Sequence, residues 1–146
     1  MIVVFHLVKR FATSLSAAAP GVRDEVWAES FLLEGELVLW RRLDNVDRRH
    51  AIQVARRFMA LGSWSRDEMA AALLHDIGKT VSGLSTLERV GATILGGRTA
   101  RWRDYRDHER IGVDLCRAAG STSATLAILS GEPGPVVAAL RRADRI

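Results

Sequence analysis

Leu73-Leu74-His75-Asp76-Ile77-Gly78-Lys79 is the stretch on which the reading of this chain turns. An apolar run closes on a histidine, an aspartate, a glycine and a lysine. His75 offers an imidazole nitrogen and Asp76 carboxylate oxygens, donors that suit a borderline or hard divalent cation. Just upstream, Ser65 and Glu68 stand at the spacing of a capping box. Asp67 to about Ile77, rich in Ala and Leu, then reads as a helix interrupted only by Gly78. Neighbouring helical residues project about 100° apart, so His75 and Asp76 can share one ion only near the helix end. An isolated His-Asp pair could equally be a polar cap, and the rest of the chain must decide.

Working outward, the pattern is helical throughout. Asp44 or Asn45 can cap a helix through Asp47, His50, Val54 and Phe58 to Leu61, with Gly62 as its stop. His50, Val54, Phe58 and Leu61 share one face of it. Toward the N-terminus, helices are expected over Ile2 to about Ala18, Asp24 to about Glu34 and Glu36 to Arg42, the first broken by Pro20-Gly21. Toward the C-terminus, Ser85 with Glu88 forms a second capping box, opening a helix through Leu95 that Gly96-Gly97 ends. Further helices are expected from about Arg103 to Ala119, from a Ser121 or Ser123 cap to Leu129, and from Pro135, suited to a first turn, to Ile146. No period-two alternation is long enough for a strand. The expectation is an all-α single domain of about six to eight helices, with residues 1–33 as a helical extension packed on a 34–146 core.

Length and composition agree with one domain and one core: the chain has 146 residues, 48% of them hydrophobic. The formal charge of +4 is carried almost wholly by arginine, with Lys9 and Lys79 as the exceptions. A mild excess suits a small anion, and nucleic acid is not expected as the main partner. Cys116 stands alone, which excludes an intrachain disulfide and fits a reducing cytoplasm. The apolar run Ile2 to Val8 contains His6 and lacks a preceding basic residue. It is expected to be a packed helix, not a signal peptide or a membrane span.

Three of the four histidines, His50, His75 and His108, fall on or at the ends of separate helices, close to the apolar side. Packing alone accounts poorly for that, whereas a pocket between helices would gather them. Trp27, Trp40 and Trp64 read as gap fillers. Trp102 and Tyr105, among Arg101, Arg103 and Arg106, could stack on a base or form an ordinary solvated edge.

With these residues in hand, the sequence resembles the HD domain superfamily of metal-dependent phosphohydrolases. His50 in Asp47-Arg48-Arg49-His50 matches the family's first histidine. His75 and Asp76 match its doublet in the extended form HDIGK, and Asp144 in Leu140-Arg141-Arg142-Ala143-Asp144 matches its final aspartate. The resemblance runs over roughly Glu34 to Ile146. It implies a compact helical bundle holding a divalent ion (Mn, Fe, Mg, Ni or Zn) on His50, His75, Asp76 and Asp144. It also implies hydrolysis of a small phosphorylated substrate, nucleotides among them, by metal-activated attack of water on phosphorus.

Asp76 is the expected catalytic carboxylate, Lys79 a contact to phosphate, and His108 a further active-site histidine. Arg49 is a weaker phosphate candidate, while Asp107 and Glu109 read as solvated. Two-metal members carry more histidines before the final aspartate. Here none follows His108, and Glu132 is the only stand-in, so one ion is expected. The other readings are an HD-fold module that binds metal or nucleotide without turnover, and a structural helical homodimer.

Overall fold

A computed structural model describes residues 17–80 and 108–146 of the chain. Among the described residues every regular element is helical. The elements are α1 (Val22–Glu29), α2 (Glu34–Arg42), α3 (Asn45–Ala60), α4 (Arg66–Leu74), a one-turn 3₁₀ helix (Ile77–Thr80), α5 (His108–Ala118), α6 (Ser123–Leu129) and α7 (Pro135–Arg145). The all-α expectation is met. The expected Ser85–Leu95 helix, the Trp102 and Tyr105 cluster and His6 lie outside the described residues. Residues 17–20, which the first expected helix would enter, are not helical.

Local chemistry explains most of the boundaries. Asp44 caps α3, its side chain accepting from the Asp47 amide at 2.7 Å. Ser65 and Glu68 form the expected capping box on α4, with the Glu68 carboxylate accepting from the Ser65 amide at 2.7 Å. Pro135 opens α7. Thr122, and neither Ser121 nor Ser123, caps α6 by accepting from the Thr125 amide. The Ser121 hydroxyl is otherwise engaged, donating to Glu36 at 2.8 Å.

The middle of the molecule is α4, where every residue from Met69 to Leu74 is buried. Its alanines let neighbours approach closely: α3 packs on one side and α6 on another, while α7 lies across α3. Trp40, Val54, Phe58, Leu73, Leu74 and Ile77 are fully buried between these helices. Each large apolar side chain so buried contributes about 1.5–3 kcal/mol of transfer free energy. Leu61, expected on the same face as Phe58, is instead 36% exposed, because the helix has ended and residue 61 turns away.

Two helices end earlier than their apolar pattern suggests. α1 stops at Glu29 instead of running to Glu34, because the backbone at Leu33 is already extended to begin α2. α4 stops at Leu74 instead of Ile77, with His75 and Asp76 in a turn before the chain tightens into the 3₁₀ helix. The reason is the packing of that 3₁₀ turn on α5. A Cβ on Gly78 would stand 1.7 Å from the His108 carbonyl oxygen and 2.9 Å from the Gly112 amide nitrogen. The two backbones meet there directly, and only glycine permits it. No helix among the described residues is long and apolar enough to cross a membrane.

Candidate metal centre

Three segments deliver the four expected donors to one place. His50 comes from the second turn of α3. His75 and Asp76 come from the turn that follows α4, and Asp144 from the last turn of α7. The doublet stands where α4 gives way to the 3₁₀ turn, with His75 still in a helical backbone conformation, and there His75 Nε2 and Asp76 Oδ2 come within 3.4 Å of each other. The end of α7 is tied to α3 by Arg57, whose guanidinium donates to the Ala143 carbonyl at 3.3 Å, one residue before Asp144.

His50 Nε2 lies 3.1 Å from Asp144 Oδ1 and 3.8 Å from Asp76 Oδ2. His75 Nε2 lies 3.4 Å from each of the same two oxygens. Ligands at metal-bond lengths near 2.1 Å sit about 3.0–4.2 Å apart, from right-angled to opposed. All four separations fall in that range. The donor atoms of His50, His75 and Asp76 also lie within 4.8 Å of one another.

The tautomer fits as well. His75 Nδ1–H donates to the Ala72 carbonyl at 2.7 Å, which leaves the Nε2 lone pair for the cluster. That Nε2 is buried and makes no hydrogen bond. A buried polar atom without a partner costs stability, and a cation beside it would satisfy it. Two imidazoles and two carboxylates are a donor set that suits a first-row divalent ion.

The electrostatics point the same way. Burial opposes the charged forms, but His75 and the carboxylates attract each other more strongly. His75 is pushed up to about 10, chiefly by Asp76 and then by Asp144. Burial would raise Asp76, yet His75 and Lys79 hold it well below the usual carboxylate range. Asp144 is likewise held low, against burial, by its hydrogen bond to His50 and by the nearby His75 imidazole. The cluster therefore holds positive charge at its centre, as a proton or as an ion in its place.

Lys79 and His108 complete the surroundings. Lys79 Nζ sits 2.8 Å from Asp76 Oδ2, the oxygen that faces both imidazoles. A carboxylate oxygen has two acceptor directions, so that contact does not block a ligand role. His108, at the start of α5, is buried, with Nε2 3.9 Å from Asp76 Oδ1. Burial and the Lys79 charge lower its pKa.

Beside the donors opens a cavity of about 290 Å³. His75, Asp76, Lys79, His108 and Asp144 line one side, while Leu129, Val137 and Leu140 supply an apolar wall. The structure thus places His50, His75, Asp76 and Asp144 within about 4 Å of one another in a chain of contacts, with Lys79 and His108 beside Asp76. Glu109, read as solvated, is exposed, and it also lines the cavity. Arg49 and Glu132 do not line it. Arg141 and Gly131 line it and were not singled out from the sequence. The signal for Arg141 was its position three residues before Asp144, on the same helical face.

Compared with known proteins, the chain matches the family model of the HD domain over residues 48–143, more than half its length. No curated protein and no solved structure matches it.

Proposed function

The chain belongs to the HD domain family, and from that premise we propose that it is a metal-dependent phosphohydrolase of a small phosphorylated molecule. The observation that carries the reading is His75 Nε2, buried and without a hydrogen bond, facing two carboxylates and a second imidazole at metal-ligand spacing. His50, His75, Asp76 and Asp144 would hold one divalent cation. Bound there, it would supply electrophilic activation of water and of the phosphoryl group near neutral pH.

The remaining work falls to the chain's own residues. Asp76 faces the cluster through Oδ2 and His108 through Oδ1, so it links the ion site to the cavity wall. Lys79 fixes that carboxylate and sets a positive charge beside the entering phosphate. His108, neutral at neutral pH, offers a ring N–H to a phosphate oxygen or a lone pair to water. The cavity has room for a compact phosphorylated molecule, with the apolar wall against its organic part.

The test pairs elemental analysis of the purified protein with a panel of phosphomonoesters and nucleotides under added Mn²⁺ and Mg²⁺. Asp76→Ala is expected to lose bound metal and to lower turnover by at least about 100-fold, with the helical content retained. Full activity in that variant would refute the reading. Stoichiometric metal and ligand binding without product release would identify a binding module instead.

A further inference from the structure

One cation at the cavity has no part in the metal cluster. Arg141 makes no ion pair or hydrogen bond with any described residue, although it is a cavity-lining side chain. It sits on α7 three residues before Asp144, about 4.5 Å nearer the helix start along the axis. Val137 and Leu140 of the same helix are buried and fix that helix against the body.

Gly131 lines the same cavity and lies close to the guanidinium. Gly131, in the turn after α6, has φ of +76°, a conformation that favours glycine. A Cβ placed there would come within 3.3 Å of an Arg141 terminal nitrogen. The bare turn therefore gives the guanidinium room to lie against it at the cavity's edge.

Resting on the metal-site reading above, we infer that Arg141 is the residue that reads a terminal phosphate, and that the substrate is a phosphate monoester, not a diester. Guanidinium pairs two parallel N–H groups with two oxygens of one phosphate. A monoester has three unesterified oxygens, enough to meet both the cation site and this fork. A diester has two and must forgo one contact. Lys79 cannot replace the fork, because its ammonium is a point charge already paired with Asp76.

The experiment measures binding directly. Calorimetry on the full Mn²⁺-loaded chain compares methyl phosphate with dimethyl phosphate in the wild type, Arg141→Gln, Arg141→Lys and Arg142→Gln. Arg141 and Arg142 are both exposed, but only Arg141 lines the cavity, so the Arg142 variant matches the loss of one charge without touching the cavity. Arg141→Gln is expected to weaken methyl phosphate about 10- to 100-fold, with a smaller effect on dimethyl phosphate. Arg141→Lys should recover part of the loss, and Arg142→Gln should stay within about twofold of wild type. Mn²⁺ affinity, titrated separately, should be unchanged in all three.

Equal weakening by Arg141→Gln and Arg142→Gln, or wild-type binding in Arg141→Gln, would overturn the assignment of Arg141 and leave the metal reading standing. A wild-type chain that takes up no Mn²⁺ would overturn both.

Discussion

Replacing Gly78 by alanine tests how the doublet is held in place. The added Cβ would meet the His108 carbonyl oxygen at 1.7 Å, its carbon at 2.6 Å and the Gly112 nitrogen at 2.9 Å. All three are main-chain atoms, so no side chain can swing aside. The closest separation must about double to reach ordinary contact near 3.5 Å. The 3₁₀ turn and α5 must therefore part, and Asp76 lies two residues from the wedge. Overpacking a close contact costs about 1–3 kcal/mol, and a backbone collision belongs at the upper end. For a domain of this size about 3 kcal/mol corresponds to a fall in Tm of roughly 10 °C. The same movement should weaken Mn²⁺ by about tenfold or more, since it shifts Asp76 against His50 and His75. The assay is thermal unfolding of the metal-free protein by circular dichroism, followed by Mn²⁺ titration. Gly134→Ala is the control: its Cβ would meet nothing within 4 Å and its φ of 167° is extended. A Gly78→Ala protein that melts within about 2 °C of wild type and keeps its Mn²⁺ affinity would refute the account of the close approach.

The cluster also fixes two opposite responses to pH. His75 is raised from 6.5 to about 10, so its contribution to metal-free stability is complete below 6.5 and is lost as pH rises toward 10. Asp76 and Asp144 are lowered, so theirs is complete above their unfolded values near 4 and is lost as pH falls. Metal-free protein should thus be most stable between about pH 4 and 6.5, while Mn²⁺ affinity should climb as pH rises from about 6.5 toward 10 and competition from the His75 proton fades. Urea unfolding and calorimetry across that range measure the two, and parallel trends would contradict the cluster described here. Ser65→Ala should cost about 1 kcal/mol by removing the α4 cap, read by urea unfolding, with Mn²⁺ affinity unchanged; a matching drop in affinity would show that the cap also sets the site.

The parts of the fold that local chemistry controls could be read from the chain. Ser65 and Glu68 cap where their spacing indicates, Pro135 opens its helix, and Asp44 caps the helix that carries His50. The doublet at 75–76 located the site because two strong donors at the end of an apolar run have few other uses. Tertiary contact decided what could not be read. Ile77 continues the apolar pattern of α4, yet the helix ends three residues earlier because Gly78 must pass the α5 backbone. Glu36 looks like any solvent-facing helical glutamate, yet it is fully buried. Its carboxylate accepts from the Leu33 amide, the Ser121 hydroxyl and Arg66, two of them partners from distant segments. Arg141 escaped for the same reason: only the turn at Gly131, ten residues away, gives it a place at the cavity.

His50 and Asp144 stand 94 residues apart in sequence and 3.1 Å apart in space, with the doublet between them. An ion gripped by all of them acts as a clasp, fastening α3, the turn after α4 and the final turn of α7 at one point. Occupancy then becomes legible as heat resistance. Each tenfold excess of free ion over its dissociation constant adds about 1.4 kcal/mol to the folded state. Ranking candidate metals by melting temperature would therefore disclose the preferred one before any substrate is known.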